Sequence, residues 1–218
     1  MGTVSLHAIG IDELRDAFSG TDAAVDHLRA LALATWPPTP VPPRRGGLLS
    51  KLGPFSRHAV GAPVVRPGVP TARDVDDVAH GRDVPPDRRE AAWALVDAFV
   101  DASAWGVLRF EADDRTIDDL DFALASAGLP SRFGLRQLFN AATRLPIKWL
   151  PGMSGGYAVG ERAEAMASAF ASALPGVDPA VAPLAGRIGA WLAGFPDWAA
   201  QARAAGRPAP DLVVWYRA

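Results

Sequence analysis

The chain has 218 residues, 49% of them hydrophobic and 21% charged, with a net charge of −2, the make-up of an ordinary soluble globular protein with material for one sizeable core or two small ones. It contains no cysteine, which excludes disulfide bracing and thiol catalysis, and its four histidines are too scattered to serve structural zinc. The start lacks a basic region followed by a long apolar run, and no window approaches the roughly 20 apolar residues of a membrane span, so a cytoplasmic protein is expected.

Val4 to Ile9 alternates and predicts a first strand; Ile11 to Phe18 predicts a helix with Asp12 placed to cap it and Gly20 to end it. Asp22 to Thr35 carries Ala24, Val25, Leu28, Leu31 and Leu33 at helical spacing and stops against the prolines of WPPTPVPPRRGG. Residues 36–72 then read as a long Pro-rich irregular excursion. Trp36, Leu48, Leu49, Leu52, Phe55, Val64 and Val65 make it too apolar for a solvated linker, so a packed cover with a flexible centre at 44–47 is expected.

Helices follow. Thr71 to Asp74 opens a short one ending at Gly81, and Pro85-Pro86-Asp87 opens another whose Ala92, Leu95, Val96, Phe99 and Val100 predict the core face. Trp105 to Phe110 is ambiguous between helix end and strand. Thr116 to Asp119 resembles a capping box ahead of Leu120 to Ala127, and Arg132 to Thr143 is a further helix candidate. An Ala-rich helix is expected from Gly160 to Leu174, a broken helical stretch from Ala180 to Ala205, and a closing strand from Asp211 to Arg217. The fold class predicted is α/β, with α+β as the variant: a helix-rich single domain, 1–218, around a small sheet holding both terminal strands.

Gly152-Met153-Ser154-Gly155-Gly156 matches the G-x-S-x-G of a nucleophile elbow. The elbow needs a preceding strand and a later histidine, yet prolines interrupt 145–151 and the last histidine is His80, so a glycine-rich turn before a helix is expected instead. The same glycines fit neither phosphate-loop spacing, and Glu161 and Glu164 would repel an anion there. The acidic run from Glu111 to Asp121 lacks calcium-loop spacing. His7 reads as a structural strand histidine and His80 as the partner of a helix C-terminus. No catalytic set, metal site or cofactor is expected.

Charge is sorted along the chain. From His27 to Arg73 there are seven Lys/Arg and no acid, whereas Asp74 to Asp121 holds fourteen acids against five arginines. The two blocks are expected to face each other in part, and neither has the interleaved aromatics of a nucleic-acid surface.

The opening VSLHAIGIDELRDAFSGTDAA, the segment VDDVAHGRDVPP, the turn and helix GGYAVGERAEAMASAF and the ending WLAGFPDWAAQARAAGRPAPDLVVWYR resemble the YfbM-like group of uncharacterised bacterial proteins. The Pro-rich insertion of 36–70 departs from that pattern. The resemblance implies a compact α/β fold with the first and last strands in one sheet, and carries no catalytic residues over.

Two functions are expected from the residues. One is a non-enzymatic interaction module, an immunity or inhibitor type of protein, meeting a partner's basic surface through Asp113, Asp114, Asp118 and Asp119. The alternative is a small-ligand binder or enzyme using an aromatic-lined cleft near Trp149, Met153, Tyr157, Trp215 and Tyr216, suggested by seven tryptophans. Neither nucleic acid nor membrane is expected as a partner.

Overall fold

The computed structural model describes residues 1–37 and 66–218. Four antiparallel strands, β1 (Gly2–Ile9), β2 (Gly106–Ala112), β3 (Met153–Ala158) and β4 (Asp211–Arg217), form one sheet in the order β2-β1-β4-β3. The terminal strands lie side by side at its centre, with Val4 opposite Tyr216 and His7 opposite Val213. This is the α/β, helix-rich arrangement around a small sheet that the apolar terminal segments predict.

Successive strand residues point to opposite faces, and both faces are covered. Val4, Leu6, Ala8, Leu212 and Val214 enter one core with α5 (Asp114–Ser126), α6 (Leu135–Phe139), α7 (Gly160–Ala173), α8 (Ala182–Leu192) and α9 (Phe195–Ala204). Ile9, Val213 and Trp215 enter a second core with α1 (Ile11–Asp16), α2 (Asp22–Thr35), α3 (Ala72–Ala79) and α4 (Arg89–Ser103). The chain therefore builds a three-layer sandwich whose central strands are buried from both sides. None of the described helices is long and apolar enough to cross a membrane.

Two of the predicted helix starts are capped by the residue types that favour them. Thr21 accepts from the Ala24 N–H, and Thr71 with Asp74 forms a reciprocal capping box at α3. Three expectations need correction. Asp12 lies inside α1; the Ile11 N–H is instead satisfied at 2.8 Å by Asp211, a partner 200 residues away. Helix α5 starts a turn earlier than Thr116 suggests, because Asp113 accepts from the Thr116 N–H at 2.8 Å. Between 132 and 143 only a 3-10 turn at Ser131–Phe133 and the five-residue α6 form.

The glycine-rich stretch is the largest correction. It forms edge strand β3 rather than a turn, paired to β4 with Ser154 opposite Tyr216. Only Gly152 turns, at φ +72°. The excursion expected at 36–72 lies mostly outside the described residues, including its apolar cover and its centre at 44–47. Its described end is Trp36, packed against the second core, and the Thr71 cap of α3.

Candidate functional site

On the second-core face of the sheet, β1 alternates Thr3, Ser5 and His7 against the apolar Val4, Leu6 and Ala8. Such alternation ordinarily places the polar face in water. Here α4 runs over it, and its residues 93, 97 and 101, spaced one turn apart, put Trp93 against Trp215 and extend Asp97 and Asp101 over the strand's polar end. The result is a cleft of about 360 Å³, with Arg109 of β2 and Arg217 of β4 at its sides. In the sheet register Ser5 lies directly opposite Arg109 on one side and Trp215 on the other, and Thr3 opposite Arg217.

Two ion pairs frame the cleft. Arg109 donates to Asp101, and Arg217 donates to Asp97. Thr3 donates to Glu111 at 2.9 Å at the rim. Innermost is His7, only 1% exposed, with neither ring nitrogen hydrogen-bonded; its Nδ1 stands 3.7 Å from the Asp101 carboxylate. Burial, helped by the Arg109 charge, lowers the His7 pKa to about 3, so the ring is neutral and offers one donor and one acceptor. Burial also raises the Asp97 carboxyl to about 6; the neighbouring Asp101 adds to this while Arg217 opposes it. The cleft therefore holds an uncharged imidazole and a carboxyl that exchanges its proton near neutrality.

The aromatic residues expected to line a cleft are brought to this same face, but as packing. Trp149 stacks on Trp93 at 4.9 Å, and Trp215 meets both edge-on at 5.6 and 5.7 Å. Tyr157 is half-buried with the Arg15 guanidinium 5.4 Å over its ring, Met153 packs in the second core, and Tyr216 points to the other face, stacked on Phe139. Of the set, Trp215 alone reaches both the aromatic cluster and the polar cleft.

The acidic block is spent largely within the fold. Asp113 caps α5, and the Thr116 hydroxyl and N–H hold its carboxyl below the ordinary value. Asp114 and Asp118 each pair with Arg136 at 2.8 Å, and Asp119 pairs with Arg115 at 3.6 Å. Asp121 accepts the Leu135 and Arg136 N–H groups at the start of α6. Of the basic block, Arg29 pairs with Asp26 and Arg73 with Asp77, while residues 38–65 lie outside the described residues. Ser154 faces away from His7, across the sheet, and His80 bonds the Asp76 carbonyl at the end of α3. Among the described residues no group of three acids or histidines is placed to hold a metal ion.

The model of a family described as domain of unknown function (DUF7691) matches residues 1–217. The chain belongs to the DUF7691 family. Comparison of this DUF7691 chain with curated proteins and with solved structures finds no match. Sequence reading missed the cleft, although Asp97 and Asp101 interrupting the apolar face of α4, and arginines inside β2 and β4, were its visible traces.

Proposed function

We propose that this chain is a small-ligand-binding protein whose ligand occupies the cleft between α4 and the polar face of β1, β2 and β4. The observation that carries the reading is His7. A buried polar group without a partner costs roughly 1–3 kcal/mol, and here it forms the inner wall of a cleft where a ligand would satisfy it. An imidazole with a pKa of about 3 is too weakly basic to accept a proton near neutrality, so His7 meets the ligand as a hydrogen-bonding group and not as a base. His7→Leu tests this. Screened by ligand-observed NMR against a metabolite extract of the source cell, the wild type should broaden specific metabolite signals and the variant should not. The variant's stability should stay level or rise by about 1 kcal/mol, since the unpartnered nitrogens are gone. Equal binding by both proteins, or by neither, would sink the proposal.

A second reading keeps the interaction module, an immunity or inhibitor type of protein for a basic partner. Phe122, 75% exposed on α5, sits three and four residues after the exposed Asp119 and Asp118, an apolar anchor framed by carboxylates. Phe122→Ser with Asp119→Asn should abolish capture of that partner and leave thermal stability unchanged; retained capture would refute it. Kinship with the YfbM-like proteins also stands as our reading, supported by the adjacency of β1 and β4.

A further inference from the structure

We propose that the cleft is an oxyanion site, in which Arg109 and Arg217, reaching in from the two strands that flank β1, grip a phosphate- or carboxylate-class head group above Ser5. The inference rests on the ligand-binding reading and names the chemistry of its ligand. A guanidinium carries five N–H donors. Arg109 gives one to Asp101 and Arg217 one to Asp97, so each keeps most of its fork, and their side chains are 46% and 38% exposed. Ser5 stands in register beside Arg109, and the neutral His7 ring, neither of its nitrogens hydrogen-bonded, lines the inner wall. Donors therefore outnumber acceptors in the cleft, and an acceptor-rich ligand with a planar or tetrahedral oxygen face matches paired arginines best.

The two aspartates would repel an oxyanion if both stayed charged. The groups facing Asp97 are Arg217 from β4, Arg109 from β2, Asp101 on its own helix and the uncharged His7 from β1. Asp97 is the carboxyl that burial already favours in its neutral form. Once it takes a proton, two arginines face one aspartate and Arg217 is released to the ligand. Oxyanion entry is thus coupled to uptake of one proton at Asp97.

The test titrates the full chain with sodium sulfate at constant ionic strength, with inorganic phosphate and acetate as parallel arms, and follows amide and guanidinium NMR signals. Sulfate should give saturable shifts at Ser5, His7, Arg109 and Arg217, with affinity about 30-fold higher at pH 5 than at pH 7.5, the ratio set by one linked proton on a group titrating near 6. Arg109→Gln should weaken binding by about tenfold or more, the loss of a charge-assisted pair, and Arg29→Gln on α2 should leave it unchanged. Because Arg217→Gln strands a buried carboxylate, Asp97→Asn/Arg217→Gln is the matching variant and should also bind weakly. Asp97→Asn alone should bind tightly at both pH values. Stronger binding of phosphate and sulfate than acetate assigns a phosphate-class head; the reverse assigns a carboxylate. Absence of saturable shifts with all three anions, or sulfate affinity that does not change with pH, overturns the proposal. A metabolite that binds through His7 while all three anions fail would leave the ligand-binding reading standing and remove only its oxyanion chemistry.

Discussion

His7 and Asp97 are displaced in opposite senses by the same burial, and their linkage to stability differs in sign. The His7 pKa falls from 6.5 to about 3, so the unfolded chain takes the proton first, and its contribution to stability is lost as pH drops from 6.5 towards 3. The Asp97 pKa rises from 3.8 to about 6, so its contribution is present below 3.8 and is lost as pH climbs towards 6. Between these limits the two slopes oppose each other. Asp97→Asn removes one of them: in urea unfolding, the variant's stability relative to wild type should be higher at pH 7 than at pH 4 by roughly 1–3 kcal/mol, taking about 1.4 kcal/mol per pKa unit. A difference that does not change with pH would show Asp97 ionising normally. Gly156 is the other residue whose chemistry is decided by its surroundings. A Cβ there would collide with the backbone carbonyl oxygens of Leu138 and Ala141, where α6 and its exit cross β3. Gly156→Ala should cost more than about 3 kcal/mol, the range of severe overpacking; a thermal midpoint within a degree or two of wild type would refute this contact.

Asp211, the first residue of β4, ties three elements together. One carboxylate oxygen accepts the Ile11 N–H of α1 at 2.8 Å and the other the Gly160 N–H of α7 at 2.9 Å. Two helices on opposite faces of the sheet thus begin on one side chain, each relieving donors that the helix cannot satisfy itself. Asp211→Ala should cost about 2–3 kcal/mol, two caps at roughly 1 kcal/mol or more each, and Asp211→Asn, which keeps a single acceptor oxygen, about half of that. Equal losses for the two variants would show that a neutral amide oxygen supports neither helix start and that the carboxylate charge is required. The same logic separates residues within the acidic block: Asp113 and Asp121 organise helix starts, whereas Asp119 has only a long surface pair with Arg115 that contributes little.

Burial of β1 and β4 from both sides divides the molecule's apolar interior into two cores that share a sheet. Val213 and Val214 are adjacent, each fully buried, and belong to different cores. Val213→Ala and Val214→Ala should each cost about 2 kcal/mol through lost contacts and a small cavity. Because their side chains project to opposite faces and share no packing partners, the double variant should lose close to the sum. A coupling above about 1 kcal/mol, measured by a double-mutant cycle, would mean that the two layers communicate through the strand backbone.

Local chemistry was legible in the chain. Thr71 with Asp74 announces a helix start through oxygens placed to accept nearby N–H groups. The apolar face of α4 is written at three- and four-residue spacing, and the short apolar terminal segments could satisfy their backbones only by pairing. Interactions between distant segments were not legible, since no local pattern encodes them. Asp12 stands where a cap belongs, but Asp211 does the capping from the far end of the chain. The glycines at 152–156 spell a hydrolase elbow but lack its preceding strand and later histidine, and so read as a turn by sequence. They form a strand because Gly156 lets the α6 backbone approach and Gly155 makes room for Trp149 and Trp215. By sequence His7 reads as a structural strand histidine, and nothing local marks Thr3 and Ser5 as part of a site. Only the path of α4 over them, setting Asp97 and Asp101 against two arginines from neighbouring strands, turns their face of β1 into a cleft, because desolvation and charge pairing arise from what surrounds a side chain in space rather than from its neighbours in sequence.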